Sequence, residues 1–334
     1  MLGSRVQIPP GSPEHTSMDY HPNTYKLARK KLETVAVRLG LAVLPYMPRR
    51  LILSLARFAG FFAYYCAPGT RRLTMANLEI AFGGRKSPRE KRRIAIGAFQ
   101  VMARVFMDYF WFIRRTAGRV LQYIILDKSV ALYFPPPPAV AVTAHFGNWE
   151  LLSRGMAAAG YDHEAVSAPL SNPAVDEVII SFRTKENARM IPMRGAVRGL
   201  LRALHNKKYI ALLLDQNTKP RDGGVFVDFF GLPVPMSTSA AILAERVNAP
   251  IVPLFCLERP GGDYLIYALP PFKVVASRGA GHDHILETTQ KIAAVFQQEI
   301  EKHPDQWMWM YKRWKHIKPG MPAEAYPFYA KPLA

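Results

Sequence analysis

Three short runs in this chain, Ala139 to Ala144 (AVAVTA), Ile210 to Leu214 (IALLL) and Ile251 to Leu257 (IVPLFCL), are almost continuously apolar. A strand with one face in water alternates polar and apolar residues, whereas a strand covered on both faces does not. Such runs predict an α/β fold: a mixed, largely parallel central sheet flanked by helices. Two of the three stop at polar clusters, His145-Phe146-Gly147-Asn148-Trp149-Glu150 and Asp215-Gln216-Asn217. Open α/β sheets bind ligands outside the carboxyl ends of their strands, so both clusters fall where chemistry is done. The 334 residues suffice to bury such a core without disulfides or metals. The two cysteines, Cys66 and Cys256, exclude a disulfide framework and point to a reducing compartment, and no Cys/His cluster has zinc spacing.

The first cluster has the form of a strand–turn–helix junction. Gly147 permits a tight turn, Asn148 is a good N-cap, and the helix-like ELLSRGMAAAG follows. His145 then ends a strand and Glu150 sits in the first turn of a helix. Five residues along one helix would separate them by about 140°, but across this junction the chain doubles back and the carboxylate can approach the imidazole. A carboxylate on one ring nitrogen fixes the tautomer and leaves the other nitrogen as a base effective near neutrality. Neither Ser nor Cys occurs in the junction, so the substrate is expected to supply the hydroxyl. A histidine ahead of a helix also serves as a packed or capping residue. Asp215 and Gln216 likewise serve as turn-formers bonded to their own backbone. The residues alone leave both pairs of readings open.

Around this core the chain divides into a leader at 1–17, a helical region at 18–134, an α/β domain at 135–320 and a tail at 321–334. The leader has neither periodicity nor an apolar stretch, and the chain proper is expected to begin at Met18. Pro135 to Pro138 fit neither helix interior nor central strand and read as a hinge. Leu51 to Ala67 holds seventeen residues with one charge, Arg57. As a helix it reaches about 25 Å, short of the roughly 30 Å hydrocarbon core. Arginines at both ends suit a helix lying in the headgroup plane as well as one that spans. A basic cluster, Arg85, Lys86, Arg89, Lys91, Arg92 and Arg93, precedes the aromatic MDYFWF at 107–112. The net charge of +19 calls for a polyanionic partner: nucleic acid, an anionic membrane face, or an acidic carrier or substrate.

HFGNWE, with the GVFVDFFGLP block at 224–233 (preceded by Gly223) and Gln306-Trp307-Met308-Trp309-Met310-Tyr311-Lys312-Arg313-Trp314, resembles the bacterial lipid A late acyltransferases. These are the lauroyl/myristoyl transferases of the lysophospholipid-acyltransferase-like group. The resemblance runs in order from about Val140 to Lys315 and loosely back to Arg71. It implies that His145 is the general base and Glu150 its orienting carboxylate. It also implies a site region holding Arg183, Asp215 and Gln216, an acyl-acyl carrier protein donor, a hydroxyl on an anionic lipid A precursor as acceptor, and no metal or organic cofactor. The bacterial inner membrane, with the catalytic domain on its cytoplasmic face, is the location implied. Phe229 and Phe230 are expected to wall an acyl groove, and Arg313 to contact a phosphate. The tryptophan–basic block is expected at the membrane interface, with oxyanion donors near Asn148 or at Arg183. His282 and His284 read as surface residues. A lysophospholipid, glycosylated lipid or aminolipid is the alternative acceptor. A basic nucleic-acid-binding protein is the alternative of another class; it explains the charge but not two polar clusters ending buried strands.

Overall fold

A computed structural model describes residues 24–169, 171–184, 188–193, 195–274 and 283–333. The leader at 1–17 and His282 lie outside the described residues. Five helices come first: α1 (Thr24–Val43), α2 (Arg49–Cys66), α3 (Pro68–Phe82), α4 (Pro88–Trp111) and α5 (Thr116–Tyr123). Next come β1 (Ile124–Leu126), α6 (Lys128–Tyr133), β2 (Ala139–Thr143), α7 (Trp149–Ala158), β3 (His163–Ser167), α8 (Pro173–Arg183), β4 (Ala188–Pro192), α9 (Ala196–His205) and β5 (Tyr209–Leu213). A hairpin of β6 (Gly224–Phe229) and β7 (Leu232–Ser237) leads through α10 (Ser239–Arg246) to β8 (Ile251–Glu258) and β9 (Tyr264–Ala268). The chain ends with α11 (Asp283–Lys302) and two short strands, β10 (His316–Ile317) and β11 (Lys331–Pro332).

Seven strands form one sheet in the order β1-β9-β8-β2-β5-β3-β4. Every neighbouring pair is parallel except β8 with β9. This is the mixed, largely parallel sheet that the apolar runs predict. All five residues of β2 are buried, and alternation divides them between two cores. Val140 and Val142 pack in one layer with Phe255, Phe296 and Trp307. Ala139 and Ala141 face the other with Leu151, Leu152 and Met156. The sheet begins with β1, ahead of the four prolines, so the helical region contributes one strand to the sheet edge.

The N-terminal helices are built by local rules. At α4, Ser87 and Glu90 form a capping box and Pro88 sits where a missing N–H costs nothing. In α2 the buried residues Ile52, Ala56, Gly60 and Tyr64 recur at helical spacing and face α4. A side-chain carbon at Gly60 would stand 2.4 Å from the Gln100 Cα, so only glycine allows this crossing. Among the described residues no single helix is long and apolar enough to cross a membrane. The α2–α3 pair passes on length and composition only together, and it bends by 94°.

The C-terminal tryptophans correct an expectation. Trp307, Trp309 and Trp314 are buried to within 1% of full burial, packed with Phe229 and Phe230 rather than turned to a lipid interface. The indole N–H groups of Trp309 and Trp314 find backbone acceptors at Pro304 and Phe229. An amphipathic ring with an internal partner needs no headgroup.

Candidate active site

β2 and β5 lie side by side with Thr143 opposite Leu213. His145 and Asp215 each follow by two residues, so parallel register brings them to the same level of the sheet's carboxyl rim. They meet there: the ring Nδ1 of His145 stands 2.8 Å from Asp215 Oδ1. The other carboxylate oxygen, Oδ2, accepts from the His145 backbone N–H at 3.0 Å and from the Trp307 indole N–H at 2.8 Å. Burial would raise the Asp215 pKa, yet the His145 charge and these three donors hold it below the usual carboxylate range. Burial would likewise lower the imidazole; Asp215 outweighs it, and His145 is held above its ordinary value. An ionised carboxylate only accepts, so Nδ1 carries the hydrogen and Nε2 keeps its lone pair. The Gln216 amide nitrogen lies 3.4 Å from that Nε2.

The carboxylate hydrogen-bonded to the His145 ring is therefore Asp215, where the sequence reading expects Glu150. Glu150 is buried at the start of α7, where its oxygens accept from Arg183 Nε at 2.8 Å, Arg183 Nη2 at 2.6 Å and Trp149 Nε1 at 2.9 Å. The two-pronged arginine satisfies the carboxylate in full, and Glu150 reaches His145 through its field rather than a hydrogen bond. Arg183 closes α8 and also donates to Ser167 Oγ at the end of β3. Tyr109 of α4 stands against this pair; burial first, then the Glu150 charge, pushes its phenol up.

The turn between strand and helix is held from outside. Gly147 has φ +53°, and a Cβ there would stand 1.9 Å from the Cys256 carbonyl oxygen. Its N–H donates to Gln306 O, that of Asn148 to Cys256 O, and that of Phe146 to Ala144 O. Asn148 caps α7 by accepting from Leu151 N–H, as its residue type predicts, and donates to Asp108 of α4. Asp108 is also held by Arg49 and Tyr264, which locks the N-terminal helices to the junction. The backbone amides from His145 to Asn148 are thus all engaged. The Arg183 fork, the other donor expected from sequence, is bonded to Glu150 and Ser167.

Two further expectations are corrected. Arg313 is 1% exposed, donates to Asn217 Oδ1 and Pro235 O, and burial pushes its pKa down to about 10. It braces the loop after β5 and does not face a phosphate. Phe229 and Phe230 are core residues packed against the tryptophans. The apolar space lies elsewhere: a cavity between the sheet and α7, walled by Phe134, Ala141, Trp149, Leu152, Met156 and Leu213, among others. Trp149 joins it to the site, its ring 4.9 Å from the His145 ring. Sequence reasoning missed this cavity and the anchoring role of Trp307. The one available signal was that both polar clusters begin at the same offset after their strands. Among the described residues no group of three or more His, Cys, Asp or Glu could hold a metal ion.

The family described as bacterial lipid A biosynthesis acyltransferase matches residues 24–316. A lipid A biosynthesis lauroyltransferase of Escherichia coli is 26% identical over 300 residues, which cover 85% of this chain and 93% of that protein. A phosphatidylinositol mannoside acyltransferase of Mycobacterium tuberculosis is 26% identical over 207 residues, 60% of this chain and 62% of that protein. The crystal structure of a 1-acyl-sn-glycerophosphate acyltransferase from Thermotoga maritima aligns over 78% of this chain and 99% of that one, with a TM-score of 0.37 and 14% identity.

Proposed function

Given that the chain belongs to the bacterial lipid A biosynthesis acyltransferase family, we propose that it moves a fatty acyl group from an acyl carrier protein thioester to a hydroxyl of a lipid A precursor. The observation that carries the mechanism is the His145–Asp215 pair at the sheet rim, with Nε2 left as the basic nitrogen. The acceptor hydroxyl displaces the Gln216 amide and gives its proton to Nε2 as its oxygen attacks the thioester carbonyl carbon. The C–S bond breaks, and the carrier thiolate leaves with the proton that His145 returns. Asp215 stabilises the imidazolium in between. The displaced Gln216 amide is then beside the reacting carbonyl and donates to the developing oxyanion. Arg183 and Glu150 hold the far side of the site rigid, and the cavity behind Trp149 takes the acyl chain.

The acceptor and donor are anionic, and the exposed faces of α1 and α2 suit an anionic membrane. Leu32, Val35 and Leu39 of α1, with Phe58, Phe61 and Phe62 of α2, are all exposed beside the exposed Arg50 and Arg57. This face lies in the headgroup plane of the inner membrane, on its cytoplasmic side, with rings among lipid chains and arginines on phosphates. A second reading keeps the chemistry and changes the acceptor to a mannosylated inositol lipid, which the mycobacterial relative favours.

Mass spectrometry of lipids from cells with and without the gene decides the acceptor. A missing secondary acyl group on lipid A supports the first reading and a changed glycosylated phospholipid the second. In the purified enzyme, His145→Ala lowers acyl transfer about 10²–10⁴-fold or more with the fold retained. An unchanged rate refutes the general base.

A further inference from the structure

The apolar cavity contains one polar pair that the mechanism above does not use. Ser153 of α7 and His163, the first residue of β3, both line it. The Ser153 hydroxyl lies 2.8 Å from His163 Nε2, and His163 Nδ1 lies 3.0 Å from the Tyr161 carbonyl oxygen. A carbonyl only accepts, so Nδ1 carries the hydrogen, Nε2 accepts, and Ser153 is the donor. Burial pushes the His163 pKa down, so the ring stays neutral. The pair is internally satisfied, with lone-pair capacity left only on the serine oxygen.

Its depth follows from strand register. The wall residues Ala141 and Thr143 of β2 alternate in phase with His145, and Ala211 and Leu213 of β5 with Asp215. The cavity therefore runs down the sheet face that carries the catalytic pair. His163 is level with Tyr209, and Tyr209 with Ala139, six residues below His145. Ser153 is one helical turn beyond Trp149, about 6 Å along α7, and its bond to His163 puts the pair below the ring that joins the cavity to the site.

We propose that the Ser153–His163 pair is the floor that sets the length of the acyl chain this enzyme accepts. This rests on the reading of the cavity as the acyl site. A chain ending above the pair leaves it undisturbed. One methylene further pushes hydrocarbon onto the serine oxygen and against a hydrogen-bonded pair that has no other partner to turn to. Desolvating such a group outweighs the gain from one more buried methylene.

Calorimetric binding of saturated fatty acids of about ten to about eighteen carbons tests this without turnover. In the parent protein affinity rises about fourfold per carbon, then breaks at the length that fills the cavity. Replacing both floor residues, Ser153→Ala with His163→Leu, moves the break to longer chains, and the matching acyl-carrier-protein series shifts its rate preference in the same direction. His163→Gln, which keeps a hydrogen-bonding side chain, leaves the break in place. An unmoved break in the folded double variant overturns the proposal, as does an equal shift with His163→Gln or the absence of a break in the parent. A break that moves in an enzyme transferring no acyl group upholds the floor and faults the acyl-transfer reading instead.

Discussion

Two stretches of this chain share a composition and meet opposite fates. From Arg50 to Tyr65, and again from Trp307 to Lys315, aromatic rings occur with basic side chains and without a single acidic one. In the first, α2 buries a stripe of small and aliphatic residues against α4 and leaves Phe58, Phe61, Phe62 and Tyr65 exposed. In the second, three tryptophans and Arg313 are buried outright, and the exposed members are lysines. The difference lies in what each ring finds inside. The indole N–H groups of the second stretch each reach an internal acceptor, one of them Asp215, the carboxylate paired with His145. The phenylalanines of α2 have no polar atom to satisfy, and α4 is wide enough for only one face. Aromatic–basic composition therefore marks two things here, a platform under the active site and an apolar surface. Buried tryptophans also offer no stacking platform for single-stranded nucleic acid.

The strongest way to break this contrast is at the buried block. Trp307→Ala is expected to cost about 3–5 kcal/mol of stability and to abolish transfer, read by thermal melting and acyl-transfer assay. Trp307→Phe keeps most of the packing and loses only the bond to Asp215. If Trp307 merely fills space, Trp307→Phe will be fully active.

Next in size is Asp215→Asn, which is expected to lower the rate about 10²–10⁴-fold by removing the charge that fixes the tautomer. The sign of its pH effect is also determined. Asp215 holds the His145 pKa above the ordinary value against burial. Without it burial prevails, the imidazole pKa falls, and the acid limb of the rate profile moves to lower pH. A limb that stays in place or moves up would show that another group sets it.

The exposed face responds differently. Phe58→Ser with Phe62→Ser leaves the melting temperature unchanged and weakens binding to phosphatidylglycerol vesicles about tenfold or more, since buried rings are worth about 1.5–3 kcal/mol each. Flotation measures this, and unaltered flotation places the membrane contact elsewhere. The smallest effect is ionic. Raising salt well above physiological strength should cut the rate with carrier-bound donor a few-fold as the basic surface is screened. Indifference to salt would remove charge steering from the account.

How much of this was legible in the residues follows from how far apart the partners are. The alternation-free runs predict the parallel sheet, and Gly147 and Asn148 predict the turn and cap; both features depend on neighbours within a few positions. The identity of the carboxylate beside His145 is not local. Glu150 is five residues away and Asp215 seventy, and sequence proximity favours the wrong one. Placing Asp215 requires the β2–β5 register, and removing Glu150 requires Arg183 to arrive from the end of α8. Arg313, Phe229 and Phe230 were misplaced for the same reason, because ring and guanidinium burial depends on segments some eighty residues distant.

The amino-acid order already contained the sheet class, the strand–turn–helix junction, the histidine and its family, because periodicity, turn chemistry and short motifs act over one or two turns of chain. Folding added the pairing of that histidine with Asp215, the indole bonded to the carboxylate, and the cavity lined by the Ser153–His163 pair. Each of those joins elements distant in the chain. Strand register and close packing bring such groups together, and neither is written in any single stretch of residues.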